Sequence, residues 1–444
     1  MRIIIAGAGE VGSHLAKLLS KEEQDITLID TDRAKLDALD ANYNLLTLKG
    51  SPTSFTTLRE ARVSRCDLFI AVTPYETDNV TACSMAKSLG AQRTVARIDN
   101  YEFMAPANRD FFTGIGVDVL IYPEYLAAQE IITALNRTWV RHWFELWGGE
   151  LILVGVKLRD NAHIAGMQLK TLGQYGHNFH VAAIKRRHDT IIPRGNDSVN
   201  AGDIVYFTTT MEHIDQLRDI CGKQETRVRR ILIMGGSRIA IRLASMTDDK
   251  FRIKIIDSNR DRCEHLAERC PNCEIICGDA RDTDLLREEG MDQMDAFIAL
   301  TESSETNILA CLTSKEFGAH KTIAEVENIQ LIAEAEGLNI GTVINKKLLA
   351  SSTIFQLLLD ADSSTAKCLA LSDAEVAELE AKPHSAITRA PVKDLKLSHD
   401  MTIAGLIRNG KGQLVGGMTQ IEPGDHVVVF CLSGAIHKVE RLFN

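Results

Sequence analysis

A glycine-rich segment near the start of the chain has the spacing of a phosphate-binding turn. Residues 3–12 read Ile-Ile-Ile-Ala-Gly-Ala-Gly-Glu-Val-Gly, so three glycines follow an apolar run and open a helical pattern. In this context Gly7 permits a tight turn, Gly9 lets a pyrophosphate approach the backbone, and Gly12 lets helix and strand pack closely. The segment therefore predicts a nucleotide-binding turn.

Backbone N–H groups and one carboxylate would complete this site. Ala8, Glu10 and Val11 lie around the start of the predicted helix, where N–H groups and the helix dipole favour an anion. Asp30 ends the next predicted strand, 18 residues beyond Gly12. Its carboxylate would accept hydrogen bonds from ribose hydroxyls and repel a 2′-phosphate, which favours NAD or another adenine nucleotide with a free ribose over NADP. The alternative is a glycine turn that binds no ligand.

A second, altered copy of this segment begins near residue 231. Gly235 aligns with Gly7 at an offset of 228 residues, and Asp257 repeats the acidic position. Ser237 and Ala240 replace the other two glycines; alanine is accepted at the last position, whereas the serine side chain crowds the phosphate path. The second site would bind weakly, bind a different nucleotide, or be empty. Its other candidate residues are Gly236, Arg238, whose guanidinium could meet a phosphate, and Ile239.

Further polar residues follow later strands of the two copies. Thr73-Pro74 and Thr301 end the predicted fourth strands, and an open α/β sheet binds its ligands outside the carboxyl ends of its strands. These threonines would contact the ribose or nicotinamide side, or else cap the following helix. Arg97, which aligns with Glu325, could contact a phosphate in the first copy.

Two clusters of possible metal ligands have less specific spacing. The segment 263–277 includes Cys270-Pro271-Asn272-Cys273, but it lies between a helix end and a strand and has no counterpart in the first copy. Both features argue against a zinc or redox site. His177, His180 and His188 lack supporting cysteine or carboxylate spacing, which favours surface histidines. We predict no metal site.

The elements that would position these residues alternate between strands and helices. In the first copy, apolar runs predict strands over 2–6, 26–29, 45–48, 68–72, 94–98 and 117–121, and helical spacing predicts helices over 12–19, 32–39 and 78–89. Parallel strands require helical crossovers, so this alternation predicts a doubly wound parallel sheet.

A smaller unit follows each large one. Residues 183–205 and 405–427 align without a gap at an offset of 222. Strands over 181–184, 190–192 and 204–207, followed by a helix over 211–220, indicate a small α+β module. Arg186 and Arg408 occupy equivalent positions and would hold an anion or another subunit, or lie solvated on a strand. The acidic, Ala-rich segment 372–382 predicts a surface helix.

The chain is therefore predicted to be a tandem duplication in the α/β class. Two Rossmann-like doubly wound parallel-sheet domains, residues 1–135 and 229–360, are each followed by a small α+β domain, residues 140–225 and 365–444. A period this long indicates duplicated domains rather than a solenoid.

Composition limits the possible partners and compartments. Fifty basic and sixty acidic residues give a formal charge of −10, which disfavours nucleic-acid binding. Ten irregularly spaced cysteines do not suggest a secreted disulfide framework. No apolar run approaches the ~18 residues that span a bilayer, and the first apolar run reaches glycine too early for a signal peptide. We expect a cytoplasmic protein that works at a membrane only through a partner.

Together these features resemble a known family. The large units resemble RCK or KTN domains, which bind nucleotides and regulate potassium conductance. The small units resemble their C-terminal partner domains, with Ile-x-Arg at 184–186 and Gly-Asp-x-Val at 202–205. The chain departs from the family pattern at two positions. Ser237 interrupts the second glycine motif, and Ser51 occupies a position that is usually acidic in the family and is Asp279 in the second copy.

The tandem order is similar to that of the peripheral regulatory proteins of bacterial Trk potassium uptake. That resemblance implies a non-enzymatic sensor at the cytoplasmic side of the plasma membrane. It would gate an integral-membrane Trk potassium channel subunit in response to NAD(H) or ATP/ADP. It also implies self-association into a ring, as a homodimer or a higher oligomer.

Two other functions remain open from the residues alone. A nicotinamide-dependent dehydrogenase would need a domain that buries the nicotinamide beside an acid or base. The small units look too short for this, and the two copies share no His–Asp or Lys pair. A nucleotide-binding scaffold without membrane contact is the third interpretation.

Overall fold

Four sheets organise the described part of the chain, two with six strands and two with five. The structure is a computed structural model, and it describes residues 1–20, 24–187, 189–247, 250–359, 368–371, 374–432 and 435–443. Within these residues, none of the helices combines the length and apolar character needed to cross a bilayer.

The first large domain contains a parallel sheet with the strand order β3-β2-β1-β4-β5-β6. Ile3, Ile4 and Ile5 of its central strand are fully buried, as expected for a sheet covered on both faces. The strand order reverses beside β1, so the carboxyl ends of β1 and β4 flank the switch-point crevice. The elements are β1 (Arg2–Ala6), α1 (Glu10–Leu19), β2 (Asp25–Asp30), α2 (Arg33–Asp40), β3 (Leu46–Lys49), α3 (Phe55–Glu60), β4 (Leu68–Ala71), α4 (Glu76–Ser88), β5 (Arg93–Arg97), α5 (Pro106–Gly114), β6 (Val119–Ile121) and α6 (Pro123–Asn136).

The first small domain is built on an antiparallel sheet with the order β10-β9-β11-β8-β7. Its elements are β7 (His142–Leu146), β8 (Leu151–Lys157), β9 (Phe179–Arg186), β10 (Asp189–Ile191), β11 (Ile204–Thr209) and α7 (Ile214–Ile220). The three predicted strands are present. The two strands of the β7–β8 hairpin were not predicted, because the internal alignment began only at residue 183.

The second large domain repeats the first, with the order β14-β13-β12-β15-β16-β17. Its elements are β12 (Arg230–Met234), α8 (Arg238–Thr247), β13 (Arg252–Asp257), α9 (Arg260–Arg269), β14 (Cys273–Cys277), α10 (Thr283–Glu288), β15 (Ala296–Ala299), α11 (Ser304–Glu316), β16 (Lys321–Glu325), α12 (Ile332–Gly337), β17 (Thr342–Ile344) and α13 (Lys346–Leu359). The α/β fold with two parallel, Rossmann-like sheets is thus confirmed. The predicted domain boundaries stay a prediction.

The second small domain corrects one prediction. Its antiparallel sheet has the order β18-β19-β22-β20-β21, formed by β18 (Cys368–Leu371), β19 (Ala374–Glu380), β20 (Met401–Arg408), β21 (Lys411–Gln413) and β22 (His426–Leu432), with α14 (Ile436–Phe443) alongside. The surface helix predicted over 372–382 is wrong for the described residues 374–380, which form β19. This strand pairs along its length with β22, from Ala374 opposite Leu432 to Glu380 opposite His426. Tertiary pairing therefore overrides the helix propensity of Ala, Glu and Leu.

The two small sheets bury a common apolar core. One cluster joins Leu153 and Tyr206 of the first sheet to Val376, Val428 and Phe430 of the second. Both sheets also have a separate core on the opposite face, beneath their own helices. Each sheet is therefore buried on both faces, which explains why so few of its strands alternate between apolar and polar residues.

The chain divides into two compact units that do not follow the linear repeat. One unit comprises Met1–Leu126 and Lys346–Asp362, and the other comprises Ala127–Asn345 and Ser363–Asn444. In the first unit, α13 from the second half of the chain packs against α1. The last helix of the second Rossmann-like domain therefore supports the glycine turn of the first.

An arginine–aspartate pair recurs in both small domains. Arg186 donates from Nε and Nη2 to the two carboxylate oxygens of Asp203, at 2.9 and 2.8 Å. Arg408 makes the same paired contacts with Asp425, at 2.8 and 2.6 Å. Each guanidinium thus pairs with a buried carboxylate of its own domain rather than lying solvated on its strand. A contact of these arginines with an anion or another subunit stays a prediction. The Ile-x-Arg and Gly-Asp-x-Val motifs are thus the two halves of one ion pair.

We expect Asp425→Asn to lower the free energy of unfolding by about 2–3 kcal/mol, because it weakens charge-assisted hydrogen bonds to a buried group. Burial acts to raise the pKa of Asp425, but hydrogen bonds from Arg408 and the Glu422 N–H outweigh it and hold the pKa below its usual range. The stabilisation is therefore present above about pH 4 and is lost as the pH falls through the lowered pKa. Urea unfolding at neutral and acid pH measures both effects.

Asp400→Asn is the matched control, since Asp400 pairs with Lys438 at an exposed position. Its loss should cost no more than about 1 kcal/mol. Equal destabilisation by the two substitutions would contradict the structural role assigned to the Arg408–Asp425 pair.

Candidate nucleotide-binding sites

The first glycine turn needs two of its glycines for its own backbone. Gly7 has φ +112°, and a Cβ there would lie 3.0 Å from the backbone N of Thr73. A Cβ on Gly12 would collide with the carbonyl oxygen of Gly7. Gly9 differs: its φ of −70° suits any residue, and nothing lies within 4 Å of its missing Cβ. Gly7 and Gly12 therefore serve the fold, whereas Gly9 leaves open space at the N-terminus of α1.

Asp30 anchors this turn. Its Oδ2 accepts the Ala8 N–H at 2.6 Å, and its Oδ1 accepts the Asp32 N–H at 2.8 Å. The Gly7 N–H donates to the carbonyl of Ile29 at 2.8 Å. The Ala8 N–H is thus used within the protein, and the first N–H groups of α1, around Glu10 and Val11, are the ones a helix leaves for an anion.

The second turn keeps the same anchor. Asp257 Oδ2 accepts the Gly236 N–H at 2.7 Å, and Gly235 has φ +98°. Ser237 takes the place of the open glycine, and its hydroxyl accepts the Ala240 N–H at 3.4 Å, as a helix cap does. Arg238 is exposed and Ile239 is buried at the start of α8. The second turn keeps the backbone shape but replaces the open space with a hydroxymethyl group.

A cavity of about 300 Å³ lies in the second crevice, lined by Gly235, Asp257, Asp279 and Thr301 among others. Arg262, which also lines it, donates to Asp257 Oδ2 at 3.2 Å. Arg262 was not predicted from the sequence. Its counterpart Lys35 lies beside Asp32 instead, at 3.9 Å. The acidic residue of the second crevice is therefore partly neutralised, which reduces its repulsion of a phosphate.

Asp279 is paired with an arginine at the rim of the same crevice. Arg281 donates to its two carboxylate oxygens from Nε at 3.0 Å and Nη2 at 2.7 Å, and these hydrogen bonds hold the pKa of Asp279 below its usual range. Ser51 of the first copy instead shares a hydrogen bond with the Thr53 hydroxyl at 2.8 Å. The two crevices therefore differ in charge at this position.

A buried asparagine fixes the floor of each crevice. Asn79 accepts the N–H and hydroxyl of Thr73 at 2.8 and 2.7 Å, and its amide donates to the carbonyls of Thr73 and Arg97. Asn307 does the same for Thr301 and Glu325. Neither threonine is the residue that caps its helix, since Tyr75 and Ser303 hold those positions. The repetition of the asparagine at an offset of 228 was the available signal for this role.

Arg97 lies at the carboxyl end of β5 with its guanidinium directed to the end of β4. It donates from Nη2 to Asp99 at 2.9 Å and from Nη1 to the Thr73 carbonyl at 3.4 Å. Within the described residues its Nε is buried without a hydrogen-bond partner. Pro74 is exposed in the loop that follows Thr73. The structure thus places Thr73, Pro74 and Arg97 together at the switch point.

A further charged pair marks the open end of the first turn. Glu10, in the first turn of α1, forms an ion pair with Lys347 at the start of α13. The Ser351 hydroxyl of the same helix donates to the Val11 carbonyl at 3.5 Å. Lys347 was not predicted, because its role depends on a helix 337 residues away in the chain.

The cysteine and histidine clusters show no converging ligand set. Cys263 donates from Sγ to the Asp257 carbonyl at 3.2 Å, and Cys270 contacts Cys273. His180 is at 3.3 Å from the Thr402 hydroxyl, and burial lowers its pKa to about 4. His188 lies outside the described residues. No group of three or more His, Cys, Asp or Glu side chains converges in the part of the chain that the structure covers.

Two domain-family models match the chain twice each. The TrkA-N domain matches residues 3–123 and 231–346, and the TrkA-C domain matches 153–222 and 376–444. The Trk system potassium uptake protein TrkA of Vibrio alginolyticus is 32% identical over 451 residues, covering 100% of this chain and 98% of that protein. A TrkA homolog of Archaeoglobus fulgidus is 30% identical over 448 residues, covering 100% of both chains.

Solved structures agree on the fold. The crystal structure of the GsuK RCK domain has a TM-score of 0.60 and 16% identity, covering 100% of this chain and 94% of that one. A structure described as the GsuK channel bound to NAD also has a TM-score of 0.60 and 16% identity, covering 100% of this chain and 78% of that one. The duplicated Rossmann-like and small domains thus have the fold of tandem RCK domains. With both domain types matched twice along its length, the chain belongs to the TrkA family of potassium-uptake proteins.

The contrast between Gly9 and Gly12 is testable by stability alone. Gly9→Ala should lower the free energy of unfolding by less than about 1 kcal/mol, because the new methyl group meets no atom and only the preference of a helix N-cap for glycine is lost. Gly12→Ala should lower the free energy of unfolding by about 1–3 kcal/mol through overpacking against Gly7. Calorimetry of both variants measures the difference. A comparable loss at both positions would contradict the open space assigned to Gly9.

Proposed function

We propose that the chain is a non-enzymatic regulatory subunit that gates a Trk-type membrane potassium transporter in response to a nucleotide. NAD(H), or ATP/ADP, binds the first crevice, and the second crevice takes a nucleotide with less discrimination against phosphate. The protein acts at the cytoplasmic face of the plasma membrane, as part of a ring that contacts the channel subunit.

One observation carries this proposal: an Asp-anchored glycine turn with open space at Gly9 in a chain whose full-length relatives are TrkA proteins. The residues fit a dinucleotide. Gly9 and the start of α1 would face the pyrophosphate, and the second lone pairs of Asp30 would accept from ribose hydroxyls. Arg97, with an unpartnered buried Nε, would face a phosphate from the opposite side of the switch point.

The crevice supports an effector better than a redox reagent. At the carboxyl end of β4 the Thr73 hydroxyl donates its proton to the neutral Asn79 amide at 2.7 Å, so this group is arranged for structure rather than for proton transfer. A bound nucleotide then acts by shifting a conformational equilibrium. It does so only if it binds the two states with different affinity, and each site typically contributes ~1–3 kcal/mol of coupling.

Contact between α13 and α1 supplies a route from ligand to quaternary change. A phosphate at the N-terminus of α1 would repel the Glu10 carboxylate and attract the Lys347 ammonium. Lys347 begins α13, so exchange of its partner from Glu10 to a phosphate would change the force on that helix. The second half of the chain would thereby sense occupancy of the first crevice.

We expect the full chain to bind NAD or NADH, and ADP or ATP, in calorimetric titrations. Gly9→Val should weaken binding at least tenfold while the protein stays folded, because the side chain fills only the ligand path.

Potassium flux through the partner transporter in liposomes should respond to the same nucleotide and lose that response in the variant. Turnover of NADH that depends on an added hydroxy or amino acid would overturn the effector mechanism.

Glu10→Gln and Lys347→Met form a matched pair, since both break the same ion pair. Their effects on stability should be small and similar, because Glu10 is largely exposed. Their effects on nucleotide affinity should be opposite: Glu10→Gln strengthens binding and Lys347→Met weakens it, each roughly two- to fivefold. A change of affinity in the same direction for both variants would show that Lys347 does not exchange partners.

A further inference from the structure

In a second cavity of the molecule, every Asp, Glu, Lys or Arg among the described lining residues is a lysine or an arginine. It has a volume of about 440 Å³ and lies within the second compact unit, between the first small domain and the second Rossmann-like domain. Its charged lining consists of Arg141, Lys157, Arg159, Lys223, Lys315 and Lys321. Among the described residues that line it there is no Asp or Glu. Such a concentration of one charge attracts a multivalent counter-ion.

The most buried of these cations has only carbonyl partners in hydrogen bonds. Lys321 is 4% exposed, and its Nζ donates to the carbonyl of Val140 at 3.2 Å and to that of Thr138 at 3.4 Å. Lys157 donates to the carbonyls of Glu336 and Gly337, both at 2.9 Å. In the part of the chain described, Arg141, Lys223 and Lys315 form no ion pair.

Burial, and then the neighbouring cations, disfavour the charged forms of two of these lysines. Burial, followed by the charges of Arg159 and Arg141, lowers the pKa of Lys223 to about 8. Burial, followed by Arg141 and Arg159, lowers the pKa of Lys315 to about 8. No carboxylate among the described lining residues compensates these charges, although Glu336 and Glu130 act on Arg141 and Lys321 from outside the lining.

The first Rossmann-like domain contains a lysine–aspartate pair whose carboxylate is absent from the described residues at the equivalent place in the second. Lys87, the counterpart of Lys315, donates to both carboxylate oxygens of Asp118, at 3.0 and 2.8 Å. The position equivalent to Asp118, one residue before the sixth strand, is Gly341, which lines the cavity. The second Rossmann-like domain thus has the lysine without its carboxylate, and the cations of the first small domain line the same cavity.

We propose that this cavity is an anion site that takes a pyrophosphate group, free or carried by a nucleotide. Two adjacent phosphoryl groups would supply the negative charge that Asp118 supplies in the first half. Arg141 and Arg159 suit paired contacts with phosphoryl oxygens, and Lys223 and Lys315 act as point charges. Because Arg141 and Lys223 belong to the small domain and Lys315 and Lys321 to the large one, the bound anion would hold the two domains together.

The site is separate from both glycine turns, so it can be tested independently of the proposed nucleotide crevices. Inorganic pyrophosphate is titrated into the full chain at low ionic strength, with ADP as a parallel arm. We expect one additional binding event per chain and a higher thermal midpoint. Both should be lost, with affinity reduced at least tenfold, in the double variant Lys223→Gln, Lys315→Gln.

Lys87→Gln is the matched control. It should lower stability, because it breaks a compensated ion pair, and leave pyrophosphate affinity unchanged. The double variant should be at least as stable as the wild type without ligand, because it relieves repulsion. If the double variant loses only the pyrophosphate binding event, the cavity takes free pyrophosphate. If it also loses an ADP binding event, the cavity takes a nucleotide. No pyrophosphate binding, or binding that persists in the double variant, would overturn the proposal.

Proton uptake gives a second readout. Burial, together with Arg141 and Lys315, lowers the pKa of Lys321 to about 7, while Glu130 favours its charged form. An anion beside this group raises its pKa, so pyrophosphate binding near pH 7.5 should take up protons and should weaken between pH 6 and pH 9. Calorimetry in buffers of different ionisation enthalpy measures the uptake. Because pyrophosphate can itself release a proton among these cations, the uptake by Lys321 is the difference between the wild type and Lys321→Met. An equal proton count for the two proteins would contradict placement of the anion beside Lys321.

Discussion

The hydrogen bond from an acidic side chain to the glycine turn is the interaction on which both nucleotide-type domains depend. Asp30 holds the Ala8 N–H and Asp257 holds the Gly236 N–H, at 2.6 and 2.7 Å. This contact joins the end of the second strand to the turn after the first, so it fixes the mouth of the switch-point crevice before any ligand arrives. The acidic residue therefore has a structural role that would be retained in a copy that bound no nucleotide. Asp257 alone is therefore weak evidence that the second crevice binds a nucleotide. The open space at Gly9 is more direct evidence for the first crevice, because a pyrophosphate would approach there.

Much of the fold followed from the sequence because the relevant signals were local. Each strand of the first parallel sheet is a short apolar run, and the glycine turn, its helix and Asp30 are close in the chain. The helix predicted over 372–382 was wrong for a physical reason. Ala, Glu and Leu favour a helix locally, and residues 374–380 form a strand because they pair with β22. The offset of 222 residues places Ala374 opposite Ile152 of β8, so extending the repeat alignment to earlier residues would have found it.

The candidate site was harder to predict where it depends on contacts between distant segments. The glycines, Asp30, Thr73 and Arg97 could be proposed from spacing, and the structure brings them to one crevice. Lys347 could not, since its partner Glu10 is in another Rossmann-like domain of the chain. Arg262 was visible as an arginine where the first copy has Lys35, but only the geometry shows that it contacts Asp257 rather than solvent. Charge is thus the property of this site that sequence spacing conveys least well.

Duplication has let the two halves diverge in where they place positive charge. The first Rossmann-like domain pairs Lys87 with Asp118 and keeps Gly9 free of side-chain bulk. The second half fills the turn with Ser237, neutralises Asp257 with Arg262, and replaces the carboxylate beside Lys315 with Gly341. Arg262 reduces the repulsion between Asp257 and a phosphate in the second crevice, whereas Ser237 narrows the approach to the turn. Gly341 acts elsewhere, since it leaves Lys315 without the carboxylate that Lys87 has. On the two proposals made above, the chain would combine a crevice that discriminates between nucleotides with a separate anion site in the cationic cavity, so that more than one charged ligand could shift its conformational equilibrium.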